Sequence, residues 1–443
     1  AYTRANAVGL ALGDLEWTQF ANIYVADYKY GIQIVKGKRI EFAGSLYNTT
    51  VERCGVGLQV DAIDTRWGML VANSHIAGSE RAVVNNTGGV VKLAGTVLSG
   101  GTSGGNIVTE EADLSRYTAD YHAAPAKPKD KLYVVTADKS GASDAAGALQ
   151  KVLDSAAKTG GVVYVPAGKY RLNTPLIVPA GVELRGASSV AVREQTGSSK
   201  GTVLLAYYGL NTGNPDTDTA LVTLKAGAGV RGICFVYPEN SCVRPGALGT
   251  VQPCVYTIRG QGAGVYAINV EISAGYNGID FRGCSNHIIK KLVSCCYNNA
   301  IYAGNCSGGL IEGCLQNGTV LTRNGLNLPN WVDEGTQLFP YLFNKVTRVQ
   351  TQYIKLSNAA NQTIYNCFAY GIKDFVENTG SSNLTIFNIG ADNIGGPMVV
   401  TSGGSAVIIN MMRYNGSSFT NNGTALKIYN RLSINNKTES AVS

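Results

Sequence analysis

Short clusters of β-branched and aliphatic residues, each closed by Asn or Gly, recur along the chain at a nearly constant interval. In TIYNC, LTIFN and AVIIN an isoleucine stands at Ile364, Ile386 and Ile408, two steps of 22 residues. NGIDFRGC and NAIYAGNC repeat that step, matching Ile279 to Ile301, Asp280 to Tyr302 and Cys284 to Cys306. A period near 20 residues marks a solenoid whose coils stack on one another. The leucine-rich pattern LxxLxLxxN is absent, and these clusters are too short for amphipathic helices. The expected fold is all-β: a parallel β-helix whose coils each give two or three short strands. Its inward positions stack as aliphatic ladders, and its backbone hydrogen bonds run from coil to coil.

Two solenoid blocks in tandem are expected. Residues 1–110 form the first, through NIYVADYKYGIQIV, TTVERCGVGLQV, GMLVANSHIAG and GVVKLAGTVLSG. It opens with no helix or cap, and an uncovered coil end exposes strand edges. An upstream segment or a further chain covering that end is therefore expected. Residues 111–130, charged and carrying Pro125 and Pro128, read as a linker. The second block, 131–443, starts with a short capping helix. Ser143 or Asp144 is expected at its N-cap, Ala148, Leu149, Val152, Leu153 and Ala156 on its apolar face, and Gly160-Gly161 at its end. Residues 317–344 break the 22-residue rhythm and are expected to be an insertion between coils.

Composition agrees with this pattern. Of 443 residues only 15% are charged, against about 25% in an average protein, while 54 are Gly and 24 are Tyr. Such a balance argues against disorder, coiled coils and helical bundles. The net charge of +7 comes from scattered residues and not from a stripe, so no nucleic-acid partner is expected. No apolar run approaches the roughly 20 residues of a membrane-spanning helix, and no membrane partner is expected. The ten cysteines include no CxxC pair, and only His75, His122 and His287 could offer imidazole. Neither a metal site nor a cofactor is expected. The cysteines read instead as small apolar fillers of the coil, although the neighbours Cys295 and Cys296 cannot both face inward on one strand.

Gly141, Asp144, Ala148, Leu149 and Gln150, followed by Gly160, Gly161, Val162, Val163, Tyr164, Val165, Pro166, Gly168 and Tyr170, resemble the opening of the pectate-lyase superfamily of right-handed β-helices. The resemblance is to the branch that includes family-55 β-1,3-glucanases and phage depolymerase spikes. It implies right-handed winding, and the tandem blocks are similar to the layout of the family-55 enzymes. It further implies a secreted or cell-surface protein that acts on a polysaccharide or oligosaccharide, a β-glucan among the choices. The alternatives are a glycan-binding adhesin that cleaves nothing and a spike or depolymerase subunit. Polygalacturonase-like enzymes carry NTD, DD, GHG and RIK motifs, and this chain has no GHG, paired DD or RIK. The clustered acids and RxPxxR setting of calcium-dependent pectate lyases are missing too.

A metal-free glycoside hydrolase needs two carboxyl groups, about 5 Å apart for retention or about 6.5–9.5 Å for inversion. Coils stacked about 4.8 Å apart can meet either demand. Three sets of candidates emerge. Asp280 follows the inward Ile279 and should face outward, with Tyr302 above it as a sugar-binding ring. Lys373 follows Ile372 in a similar YGI setting, as Gln33 and Gln59 do in the first block. Glu239, beside Tyr237 and near Arg244 at the base of a long loop, could be desolvated into a general acid. The insertion supplies Asp333 and Glu334 as acids and Trp331 as a stacking ring, with Phe339 and Tyr341 nearby. Glu271, Glu312, Asp374 and Glu377 carry no local mark that separates them from surface charges.

Overall fold

The computed structural model describes residues 1–66, 68–115, 123–188, 201–243, 246, 248–322, 338–414 and 419–434. It is a right-handed parallel β-helix. By its contacts the chain divides into two compact units. One is Ala1–Asp120 with Ile408–Arg413 and Ile428–Ser443; the other is Tyr121–Val407 with Tyr414–Lys427.

In the first unit, strands Val8–Leu12, Tyr30–Ile34, Thr50–Val60 and His75–Asn85 follow one another in a sheet. Leu10 pairs with Ile32, Ile32 with Leu58, and Leu58 with Val83. Ile32, Leu58 and Val83 are fully buried, so one ladder runs through the core. Asn22, Asn48 and Asn73 turn successive coil corners at φ of 59°, 48° and 46°. Asn is among the few residues with a side chain that enter this left-handed region readily, which accounts for its abundance. The Asn48 amide donates to Asn22 Oδ1 at 2.6 Å, tying one corner to the next. A five-residue helix, Tyr2–Asn6, precedes the first strand and buries none of its residues.

In the second unit two short strands, Leu132–Val134 and Ser140–Asp144, already pair with the coil strands Gly161–Val165 and Gly168–Leu172, so the helix Ala146–Ala157 lies after them and does not precede the first coil as expected. Leu149, Leu153 and Ala156 are fully buried, and the helix packs on Gly161–Val165 and Leu176–Val178. Each buried leucine contributes about 1.5–3 kcal/mol. The N-cap is Ala145, not Ser143 or Asp144. Asp144 still serves the helix end, because its Oδ1 accepts the Ala146 N–H at 3.1 Å. At the other end Gly160, at φ 72°, donates its N–H to the Ala156 carbonyl at 2.8 Å.

Two inward ladders fix the register of the coils. Leu184, Val230, Ala267 and Ile289 form one. Ile258, Ile279, Ile301, Ile354, Val376 and Val399 form the other. All are at most 2% exposed, so each residue that follows them on the strand faces outward. The 22-residue step holds from Ile279 to Ile301 and from Ile364 to Ile386. Between Ile301 and its partner Ile354 the coil carries the expected insertion.

All ten cysteines are unpaired and buried. Cys295 and Cys296 are both fully buried, contrary to the limit set by strand alternation. The pairing slips here, with Cys295 opposite Ser273 and Cys296 opposite Gly275. Cys295 lies against Cys242 of the excursion 237–255, which is bound at this point by the Cys242 N–H donating to Tyr297 Oη at 3.2 Å.

Candidate functional site

The outward residues after the second ladder are Arg259, Asp280, Tyr302, Lys355 and Glu377, each in register with the next. Asp280 and Tyr302 stand on adjacent coils as the repeat requires. Lys373 is not the next member: the insertion moves the register on, and Lys355 takes that place. Lys373 sits off the file, its Nζ 3.3 Å from Asp374 Oδ2. Gln33 and Gln59 do pair with each other, but within the first unit.

Asp280 is closed in by two arginines. Its carboxylate is only 3% exposed and accepts four nitrogen donors. Arg259 Nε lies at 2.7 Å, and Arg282 contributes Nε at 2.9 Å, a terminal nitrogen at 2.8 Å and its backbone N–H at 3.1 Å. The Arg282 guanidinium is raised above its usual value chiefly by these bonds. The same group reaches Asp216 with both terminal nitrogens at 3.0 Å, while Arg259 donates to the Asp218 carbonyl at 2.8 Å. Asp280 is thus the centre of a charge clamp that docks the excursion 211–218, and not the acid that its outward register suggested. Asp216, Arg259 and Arg282 are the residues that sequence reasoning missed; an outward acid followed two positions later by arginine was the available signal.

Tyr302 is half-buried, with Arg282 Cζ 4.6 Å and Lys355 Nζ 5.3 Å from its ring centre. Its hydroxyl is 3.2 Å from Ser357 Oγ. The face therefore offers one aromatic ring, two cations and a hydroxyl. Past it, Asp374 and Glu377 stand three positions apart on the strand Asp374–Thr379. Burial pushes the Asp374 carboxyl up from its usual value, Lys373 draws it back, and the charge of Glu377 adds to the rise. Among the described residues the buried Asp374 Oδ1 has no hydrogen-bond partner. Glu377, by contrast, is half-buried with Oε1 3.8 Å from Lys355 Nζ.

Glu239 lies in the short 3-10 turn Pro238–Asn240 and is exposed, so the desolvation expected of it is not there. Tyr237 is fully buried beneath that turn, its hydroxyl 2.9 Å from Thr257 Oγ1, and no sugar can reach it. The excursion above it is pinned by Asn240, which donates to Gln252 O at 3.1 Å and accepts the Gln252 N–H at 2.7 Å. Trp331, Asp333, Glu334 and Arg244 lie outside the described residues. Among the described residues no group of three His, Cys, Asp or Glu could hold a metal ion.

Residues 134–235 match the family described as rhamnogalacturonase A/epimerase, pectate lyase-like. No curated protein matches the chain. Among solved structures, ORF18 of Geobacillus virus E2 is 14% identical over 68% of this chain and 61% of its own, with a TM-score of 0.38. The catalytic domain of a GH87 α-1,3-glucanase in complex with nigerose is 14% identical over 71% and 59%, at 0.40. The DFA-IIIase of Arthrobacter chlorophenolicus A6, without its lid, is 11% identical over 69% and 90%, at 0.41. The chain thus spans 61% and 59% of the first two. Likeness at this level concerns the fold alone.

Proposed function

We propose that the chain is a glycoside hydrolase that holds a polysaccharide along the outward face from Tyr302 to Glu377. Asp374 acts as the general acid and Glu377 as the carboxylate that activates water. The observation that carries this reading is the unequal setting of these two acids. One carboxyl is buried and biased towards its protonated form; the other is half-buried, solvent-reaching and beside a lysine. A carboxyl raised by burial is suited to give up a proton to a leaving group, and a second carboxylate within reach of solvent is suited to activate water. Tyr302, Lys355 and Ser357 would fix the ring of the sugar by contact and hydrogen bonds.

A panel of plant, fungal and bacterial polysaccharides, assayed for new reducing ends, tests the reading. Release by the parent chain that is lost in Asp374→Asn and kept in a folded Glu239→Gln variant supports it. If the parent binds a glycan but no polysaccharide yields reducing ends, the face is a binding surface, the reading favoured by the locked state of Asp280.

A further inference from the structure

A second outward file, on another face of the same coils, carries a different chemistry. Arg185, Arg231, Ile268 and Lys290 follow the first inward ladder and pair in register from coil to coil. Together with Asn269, Lys291 and the segment 123–125 they line a cleft of about 620 Å³. Behind them lies Glu183, fully buried. Its carboxylate accepts Nε of Arg185, Nε of Arg231 at 3.1 Å and the Tyr266 hydroxyl at 2.7 Å. Burial alone would raise this carboxyl, but those bonds and the two arginine charges hold it below the usual glutamate value. Gly229 makes the arrangement possible, since a Cβ there would come within 2.2 Å of the Tyr266 ring.

Both guanidiniums meet Glu183 through Nε. Among the described residues their terminal nitrogens have no hydrogen-bond partner, and the side chains are 39% and 35% exposed. Two forks are thus fixed from behind, one coil apart, and open to the cleft. Lys291 is exposed beside them, while Lys290 lies 2.8 Å from Glu312. Four basic side chains face two carboxylates, leaving an excess of positive charge. Guanidinium forks match planar or tetrahedral oxyanions in a bidentate manner, and pre-anchoring lowers the entropy lost on binding.

We propose that this cleft is an oxyanion subsite that binds a sugar ring carrying a carboxylate or a sulfate, held by Arg185 and Arg231 with Lys291 alongside. The site stands apart from the face of Tyr302 and Glu377, so a failure of hydrolysis there would leave it untouched. Titration calorimetry of the full chain separates the two anion sources with four probes: a hyaluronan hexasaccharide, its methyl ester, a κ-carrageenan tetrasaccharide and neutral laminarihexaose. The uronate or the sulfated probe should bind at least tenfold more tightly than the ester and the neutral sugar, and should weaken as salt rises. The double variant Arg185→Lys/Arg231→Lys keeps positive charge beside Glu183 but removes the forks, and should lose at least tenfold in affinity. Lys291→Asn, at an exposed position with φ 54° that Asn tolerates, should lose several-fold and guards against a misfolded double variant. Equal binding of charged and neutral sugars, no binding of either charged probe, or full affinity in both variants would overturn the proposal.

Discussion

Arg282 grips Asp216 with both terminal nitrogens at 3.0 Å and Asp280 with Nε and one terminal nitrogen at 2.9 and 2.8 Å. One guanidinium therefore ties an excursion 66 positions away in sequence to the outward face of a coil. The arrangement makes Asp280 a stability residue, and its removal would leave Arg259 and Arg282 without their shared counter-charge.

Asp280→Asn is accordingly expected to cost roughly 3–5 kcal/mol, the usual loss when one partner of a buried ion pair is removed. Urea unfolding should show a lower midpoint at an unchanged slope. Below its melting point the variant should still release reducing ends from any polysaccharide that the parent cleaves. A midpoint equal to that of the parent would remove the clamp from the account.

Asp374 should titrate in the opposite sense to a salt-bridged acid. Its folded carboxyl binds a proton more tightly than the unfolded one, so it adds stability in acid and loses that contribution as pH rises through its raised value. Asp374→Asn is thus expected to be more stable than the parent at pH 7. The gain should fade by about pH 4, near the ordinary aspartate value. Denaturation at the two pH values gives the comparison, and an equal difference at both would show that the carboxyl is not raised.

The buried thiols give a third prediction. Burial raises Cys234, Cys295, Cys296 and Cys314, and all ten cysteines are unpaired. Ellman's reagent should therefore find almost no fast thiol in the native chain and ten after unfolding in guanidinium. Fast reaction of several native thiols would mean that the ladders are open to solvent.

Much of the fold was legible because the coil interior repeats: Ile279, Ile301, Ile364 and Ile386 carry both the period and the inward direction. The helix Ala146–Ala157 was legible from its own apolar face, and the insertion from its break in the repeat. The site was harder to read. Local likeness points to Lys373, whereas the insertion shifts the register and brings Lys355 over Tyr302. Alternation placed Asp280 outward correctly but could not show that Arg259, Arg282 and the excursion 211–218 close over it. Tyr237 is buried by a loop that returns over its own strand, which no periodic pattern records. Asp374 and Glu377 differ only in what packs around them, so their sequence neighbours gave no reason to prefer them.

The most direct test of the account pairs turnover with binding in Glu377→Gln, using whichever polysaccharide the parent cleaves. Loss of a carboxylate that acts in general acid–base catalysis should lower kcat by about 10²–10⁴-fold, while calorimetry finds the affinity for an oligomer of that polysaccharide changed less than about threefold, well under the tenfold that 1.4 kcal/mol would give. A Glu377→Gln chain that turns over at the parental rate, or that loses binding and turnover together, would contradict it.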